Sequence, residues 1–194
     1  MQGIAGLEDL KELVHAVAIA SVCAMGFGFA ALARRLGLQR PEVLAGLTLY
    51  MLGCVAMIGA TITDGFLVPH IAADAVSATP ERLAFAYNLV HYLDIVLNDL
   101  AKLGWVLQAA GTLAWSATLL RHNGFNRAAG VVGLFSSLAV LALIATSATN
   151  MAMTSLLSVM VAQLTWNLAA AAWLVHDWSP APTAAISERN ALAS

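Results

Sequence analysis

The chain has 194 residues, of which 60% are hydrophobic and 10% charged, with a formal net charge of −2 and a mean hydropathy of +0.80. Soluble domains carry about 25% charged residues, so this composition excludes a soluble enzyme, a disordered chain and a disulfide scaffold. A net acidic chain with so few basic residues also excludes nucleic-acid binding. The expected fold is therefore an all-α integral membrane protein, in contact with the lipid bilayer.

Five apolar segments predict a bundle of five transmembrane helices, each close to the ~20 residues that a bilayer crossing needs. The second begins after Pro41, a favourable first-turn residue. A loop is predicted from Asp64 to Arg82, and a tight hairpin at 149–151. The spans are 13–33, 43–63, 103–120, 128–148 and 154–175, within a single domain at 1–178 that is followed by a disordered cytoplasmic tail at 179–194.

The basic residues predict the orientation of the bundle. Lys11 and Arg82 fall on one side of the membrane, and the positive-inside rule makes the opposite, arginine-rich side cytoplasmic. The N-terminus is then outside and the C-terminus inside, and the arginine- and alanine-rich composition indicates a bacterial inner membrane. The six arginines on the cytoplasmic side are Arg34, Arg35, Arg40, Arg121, Arg127 and Arg189.

The segment at 83–102, which precedes the third span, is strongly amphipathic as a helix. Joined to that span, it would make a helix of ~57 Å, nearly twice the thickness of the hydrocarbon core. Two arrangements stay open: the polar face lies in water at the outer membrane surface, or it lines an outward-facing cavity. The polar face consists of Asn88, His91, Asp94, Asn98, Asp99 and Lys102.

Histidines and carboxylates from different segments gather on the predicted outer side. Such groups can bind a transition metal ion, and paired imidazoles can ligate a haem iron. His70 and His91 form the more credible pair, because a straight helix would place His91 ~17 Å beyond the boundary near which His15 lies. We therefore predict a metal ion or haem for redox chemistry or metal handling, with candidate ligands His91, His70, Asp64, Asp94 and His15.

Two other functions remain open, because the sequence holds no familiar catalytic motif. One is a non-catalytic accessory subunit that docks through 83–102 into a larger membrane complex, and a homo-oligomer is also plausible. The other is a binder of a quinone, a lipid or another small molecule. Gln163 and Asn167 share a helix face and, with Asn98, are the candidate cofactor-binding residues. Hydrogen bonding between helices is the more common use of amides such as Gln163 and Asn167.

Overall fold

The computed structural model describes residues 2–76, 78–146 and 153–176, and within these ranges the chain is helical with no strand. The predicted hairpin at 149–151 and the predicted tail at 179–194 lie outside the described residues. The helices are α1 (Gln2–Leu36), α2 (Pro41–Ile62), α3 (Val68–Ala75), α4 (Pro80–Leu119), α5 (Phe125–Thr146) and α6 (Met153–His176), with a π-helical turn (Thr63–Leu67) between α2 and α3.

The predicted loop from Asp64 to Arg82 is wrong, because most of this stretch is helical. The chain leaves α2 through the π-helical turn and continues directly into α3. Pro69 and Pro80, which suggested a loop, lie in the first turns of α3 and α4. A proline is tolerated there because the first backbone N–H groups of a helix have no partner within the helix.

Four described helical stretches are long and apolar enough to cross a membrane: Leu10–Leu36, Pro41–Ala75, Phe125–Thr146 and Thr154–His176. The prediction of a helical membrane protein is thus confirmed at this level, while the fifth crossing and the orientation stay predictions. Large apolar side chains cover the outward surfaces of these helices, as contact with lipid requires, and include Phe27, Val55, Phe135, Val161 and Leu168.

The closest helix contact joins α2 and α4, which run antiparallel. Gly46 and Gly53 of α2 face Gly111 and Gly104 of α4, and a Cβ atom added at any of the four would come within 3.1 Å of a backbone oxygen of the opposite helix. Small residues permit such close approach of helices in membranes. Both pairs of glycines are seven residues apart, so they form one continuous stripe along the contact. The remaining packing follows the chain, with α4 against α5, α5 against α6, and α1 against α2.

An aromatic cluster joins four helices in the half of the bundle nearer the α1–α2 turn. Phe29 of α1 stacks on Trp115 of α4 with ring centroids 5.3 Å apart, and it also contacts Tyr50 of α2 and Trp166 of α6. The indole N–H of Trp115 donates to the Val43 carbonyl at 3.2 Å. All five residues are buried, so this cluster forms part of the core.

Helix α4 has 40 residues, which corresponds to about 60 Å and confirms that 83–102 continues into the third predicted span. Its first half packs along the short helix α3 and is otherwise mostly exposed. We call its first 17 residues, 80–96, the arm. His91 and Asp94 are exposed on the arm, as are apolar residues such as Phe85 and Tyr92.

A crevice with polar groups at both ends

A histidine–aspartate pair joins α1 to the π-helical turn. His15 Nε2 lies 3.0 Å from Asp64 Oδ2, and His15 Nδ1 lies 2.7 Å from the Lys11 carbonyl oxygen. Lys11 Nζ donates to Asp64 Oδ1 at 3.2 Å. A carbonyl oxygen only accepts, so Nδ1 carries a proton, and the Nε2–Oδ2 contact holds a further proton on either the imidazole or the carboxyl group. His15 and Lys11 thus both contact the Asp64 carboxyl group, which links α1 to the π-helical turn.

The π-helical turn makes this pairing possible. A π turn inserts one extra residue into a helix and re-aims the side chains beside it, and such turns are frequent at functional sites. Gly65, which follows Asp64 in this turn, packs directly on the His15 ring, where an added Cβ would overlap the imidazole. The absence of a side chain at Gly65 thus lets α1 approach closely enough for His15 to reach Asp64.

A crevice of about 480 Å³ begins at this pair and runs between α1, α2, α4 and α6. Most of its wall is apolar, and its volume lies within the range of small-molecule sites. From His15 to Met25 on α1 the wall covers ten residues, or ~15 Å along the helix. The apolar lining includes Ala18, Val22, Met25, Met57, Leu97, Trp105, Leu156 and Met160.

Three amides line the deep end of the crevice. Gln163 of α6 donates to the side-chain oxygen of Gln108 on α4 at 3.2 Å, and Gln108 contacts the Cys54 sulfur at 3.7 Å. Asn167 donates to the Met25 sulfur at 3.2 Å, whereas its side-chain oxygen is buried with no hydrogen-bond partner among the described residues. A buried amide oxygen without a partner is costly, so this end offers a hydrogen-bond acceptor to a ligand.

Contacts between α1 and α6 explain why the crevice opens at one end. The two helices touch through Phe29 and Trp166, and Arg35 donates to the Leu174 carbonyl at 2.7 Å. These contacts all lie toward the C-terminal ends of the two helices. Nearer their N-terminal ends the lining residues Val22 and Met160 border the crevice instead. The crevice therefore widens toward His15 and Asp64 and closes at the aromatic cluster.

The structure brings together some of the predicted site residues and separates others. His15 and Asp64 are in contact, and both line the crevice with Gln163 and Asn167. The remaining candidates do not line it: His70 donates from Nδ1 to the Phe66 carbonyl, His91 contacts the Tyr92 ring, and Asn98 donates to the Asp94 carbonyl. Within the described ranges, no three His, Cys, Asp or Glu side chains are grouped as a metal site requires.

The polar face of 83–102 does not line the crevice. The α4 residues in the wall are Leu97, Ala101, Trp105 and Gln108, which follow the apolar edge of the helix. Sequence reasoning missed Gln108 as a site residue and treated Lys11 only as a marker of orientation. The signal that was available is the position of Gln108 between Gly104 and Gly111, on the face that the glycines turn toward α2.

Comparison of the chain with protein-family models, with curated proteins and with solved structures finds no match. The functional argument therefore depends on the geometry of the crevice.

Proposed function

We propose that the chain is a five-span bacterial inner-membrane protein whose crevice binds a small, neutral, mostly apolar molecule of the quinone or lipid class. The contacts of α4 support the fifth crossing. The glycine stripe keeps α4 alongside α2 from Gly104 to Gly111, and α4 takes the chain from the end where α2 finishes to the end where α5 begins. A helix with this course crosses wherever its neighbours cross.

The distribution of charge supports the orientation. Five arginines lie in the turns that join α1 to α2 and α4 to α5 or in the helix ends beside them, which the positive-inside rule assigns to the cytoplasm: Arg34, Arg35, Arg40, Arg121 and Arg127. The open end of the crevice, with His15 and Asp64, then faces the periplasmic side. A ligand reaches it from the outer leaflet or from the periplasm.

We infer the ligand class from the crevice, which is apolar along its length and has hydrogen-bonding groups at its two ends. The apolar wall favours a hydrocarbon tail or ring, and the unpartnered Asn167 oxygen favours a hydroxyl or N–H donor on the ligand. Amides carry no net charge, so the deep end suits a neutral head group. A quinol meets these demands, since one hydroxyl donates at the deep end and the ring lies against apolar side chains.

Titration of the detergent-purified protein with a short-chain ubiquinol, followed by isothermal titration calorimetry, tests this proposal. Ala18→Trp fills the crevice and should weaken binding at least tenfold. The matched control is Ala20→Trp, because Ala20 is exposed on α1 and does not line the crevice. Equal affinity in the wild type and the Ala18→Trp variant, once both are shown to be folded, would contradict binding in this crevice.

Asn167→Leu tests the chemistry at the deep end, because leucine keeps the branching and the number of heavy atoms of the asparagine side chain but has no hydrogen-bonding group. The variant removes the acceptor and should weaken binding of the quinol by roughly tenfold, the effect of about one buried hydrogen bond. Thr165→Leu is the control, since Thr165 is exposed two residues away. The predicted metal ion or haem stays a prediction, and elemental analysis with an absorption spectrum of the same preparation tests it.

A further inference from the structure

A second, smaller pocket lies at the opposite end of the bundle from the His15–Asp64 pair, and it does not depend on the ligand proposed for the crevice. Its volume is about 180 Å³, on the order of six water molecules. It is formed where both turns of the arginine-rich end meet the last residues of α6. The lining residues are Arg35, Leu36, Arg40, Leu119, His122, Asn126 and Trp173.

Local structure fixes the side chains around this pocket. Gly37 adopts a positive φ of 96°, which a side chain would disfavour, and the tight turn returns the chain so that Arg40 N–H donates to the Gly37 carbonyl at 3.0 Å. Arg40 thereby lies beside Arg35, whose guanidinium donates to the Leu174 carbonyl. On the other wall, Trp173 donates to the Asn126 side-chain oxygen at 2.7 Å.

The pocket is positively charged. Two guanidinium groups and an imidazole line it, and none of the described residues that line it is acidic. Glu42, two residues after Arg40, is paired with Arg121 at 3.2 Å. Arginine binds phosphate with several parallel N–H donors. Leu36, Leu119 and Trp173 supply an apolar wall beside these charges. A positive pocket with an apolar side, at the end of a helical membrane bundle, matches the boundary between the head group and the chains of a phospholipid.

We propose that this pocket binds the phosphate group of an anionic phospholipid, with Arg40 and Arg35 on the phosphate oxygens and the glycerol backbone against Trp173. Such a lipid would hold α1, α2, α5 and α6 together where the two turns meet. The expected lipid has a net negative head group, as phosphatidylglycerol has. A zwitterionic lipid brings a cationic group to the same arginines and should bind more weakly.

Lipid retention by the intact protein in neutral detergent, measured by native mass spectrometry, tests this inference. Phosphatidylglycerol should bind at least tenfold more tightly than phosphatidylcholine, and Arg40→Gln should remove most of that preference. Arg34→Gln is the matched control, because it deletes the same charge from the same end but lies outside the pocket. Arg40→Lys keeps the charge but lacks the planar guanidinium group, so it should give an intermediate affinity. This second variant keeps the test valid if Arg40→Gln misfolds.

Three results would overturn the proposal. Equal losses in Arg34→Gln and Arg40→Gln would mean that only diffuse charge attracts the lipid. Equal binding of phosphatidylcholine and phosphatidylglycerol would remove the requirement for an anion. Displacement of bound phosphatidylglycerol by millimolar inorganic phosphate would assign the pocket to a soluble phosphate compound instead of a lipid.

Discussion

Replacing Gly53 by alanine should destabilise the bundle more than an alanine usually does in a helix. A Cβ at Gly53 would lie 2.7 Å from the Gly104 carbonyl oxygen and 2.8 Å from Gln108 Cγ. Ordinary contact begins near 3.4 Å, so α2 and α4 would have to separate by about 3.4 − 2.7 = 0.7 Å. Two of the obstructing atoms, the Gly104 oxygen and the Gln108 nitrogen, belong to the backbone, so no rotation of a side chain relieves them.

Overpacking of this kind costs about 1–3 kcal/mol, which corresponds to a melting temperature lower by about 2–12 °C in a chain of this length. Gly28→Ala is the control, because a Cβ there meets nothing within 4 Å. That variant should melt at or slightly above the wild-type temperature, since alanine is the better helix former. Thermal unfolding of the three proteins in one detergent, followed by circular dichroism, measures the difference. Identical melting of Gly53→Ala and Gly28→Ala would refute the assigned close contact.

Three further predictions concern separate parts of the molecule. Gly65→Ala should separate His15 from the π-helical turn and break its contact with Asp64. The NMR chemical shifts of the His15 ring protons should then change, whereas unchanged shifts would contradict the packing. Trp115→Phe removes the hydrogen bond to the Val43 carbonyl and should cost about 1–3 kcal/mol of unfolding free energy, against no loss if that bond contributes nothing. The pKa of Glu81 is lowered because its own backbone N–H donates to the carboxylate. The ionised form therefore stabilises the start of α4 above the usual glutamate pKa. The protection factors for amide hydrogen exchange there, which correct for the intrinsic effect of pH, should fall as the pH drops below that value but not in Glu81→Gln.

The sequence was sufficient to predict a membrane environment and most of the helices. Scarce charge and apolar segments of bilayer length can be read from the amino-acid sequence without any tertiary contact. It was insufficient between Asp64 and Arg82. Glycine and two prolines are typical of loops, but here the prolines lie in first turns and the glycine packs on His15. The use of the glycine depends on the position of α1, which is a tertiary property, and proline is common in the first turn of a helix as well as in loops.

The candidate site was predicted in part for a similar reason. His15 and Asp64 were selected among the histidines and carboxylates of the predicted outer side, and Gln163 and Asn167 as amides on one helix face. All four line the crevice. The pairing chosen from sequence, His70 with His91, used distance along straight helices as its criterion. Distances along straight helices do not include the π-helical turn at Thr63–Leu67. In the structure that turn places the Asp64 side chain against α1 and not against the arm.

The glycine stripe and the crevice are mechanically connected through Gln108. Gly104, Gln108 and Gly111 share one face of α4, so the contact that brings α2 close also fixes the amide that accepts from Gln163. A change in the spacing of α2 and α4 near Gly53 must therefore move the deep end of the crevice.

Gly46 offers the comparison that separates packing from binding. A Cβ at Gly46 would meet the Trp115 ring at 2.7 Å and the Gly111 carbonyl oxygen at 3.0 Å, two turns away from Gly53 toward the arginine-rich end. Gly46→Ala and Gly53→Ala should thus lose similar stability, because each obstructs the same helix pair. Only Gly53→Ala should also weaken binding of the ubiquinol, since only its neighbour Gln108 lines the crevice. Equal affinities in two folded variants would show that the position of Gln108 does not govern the site.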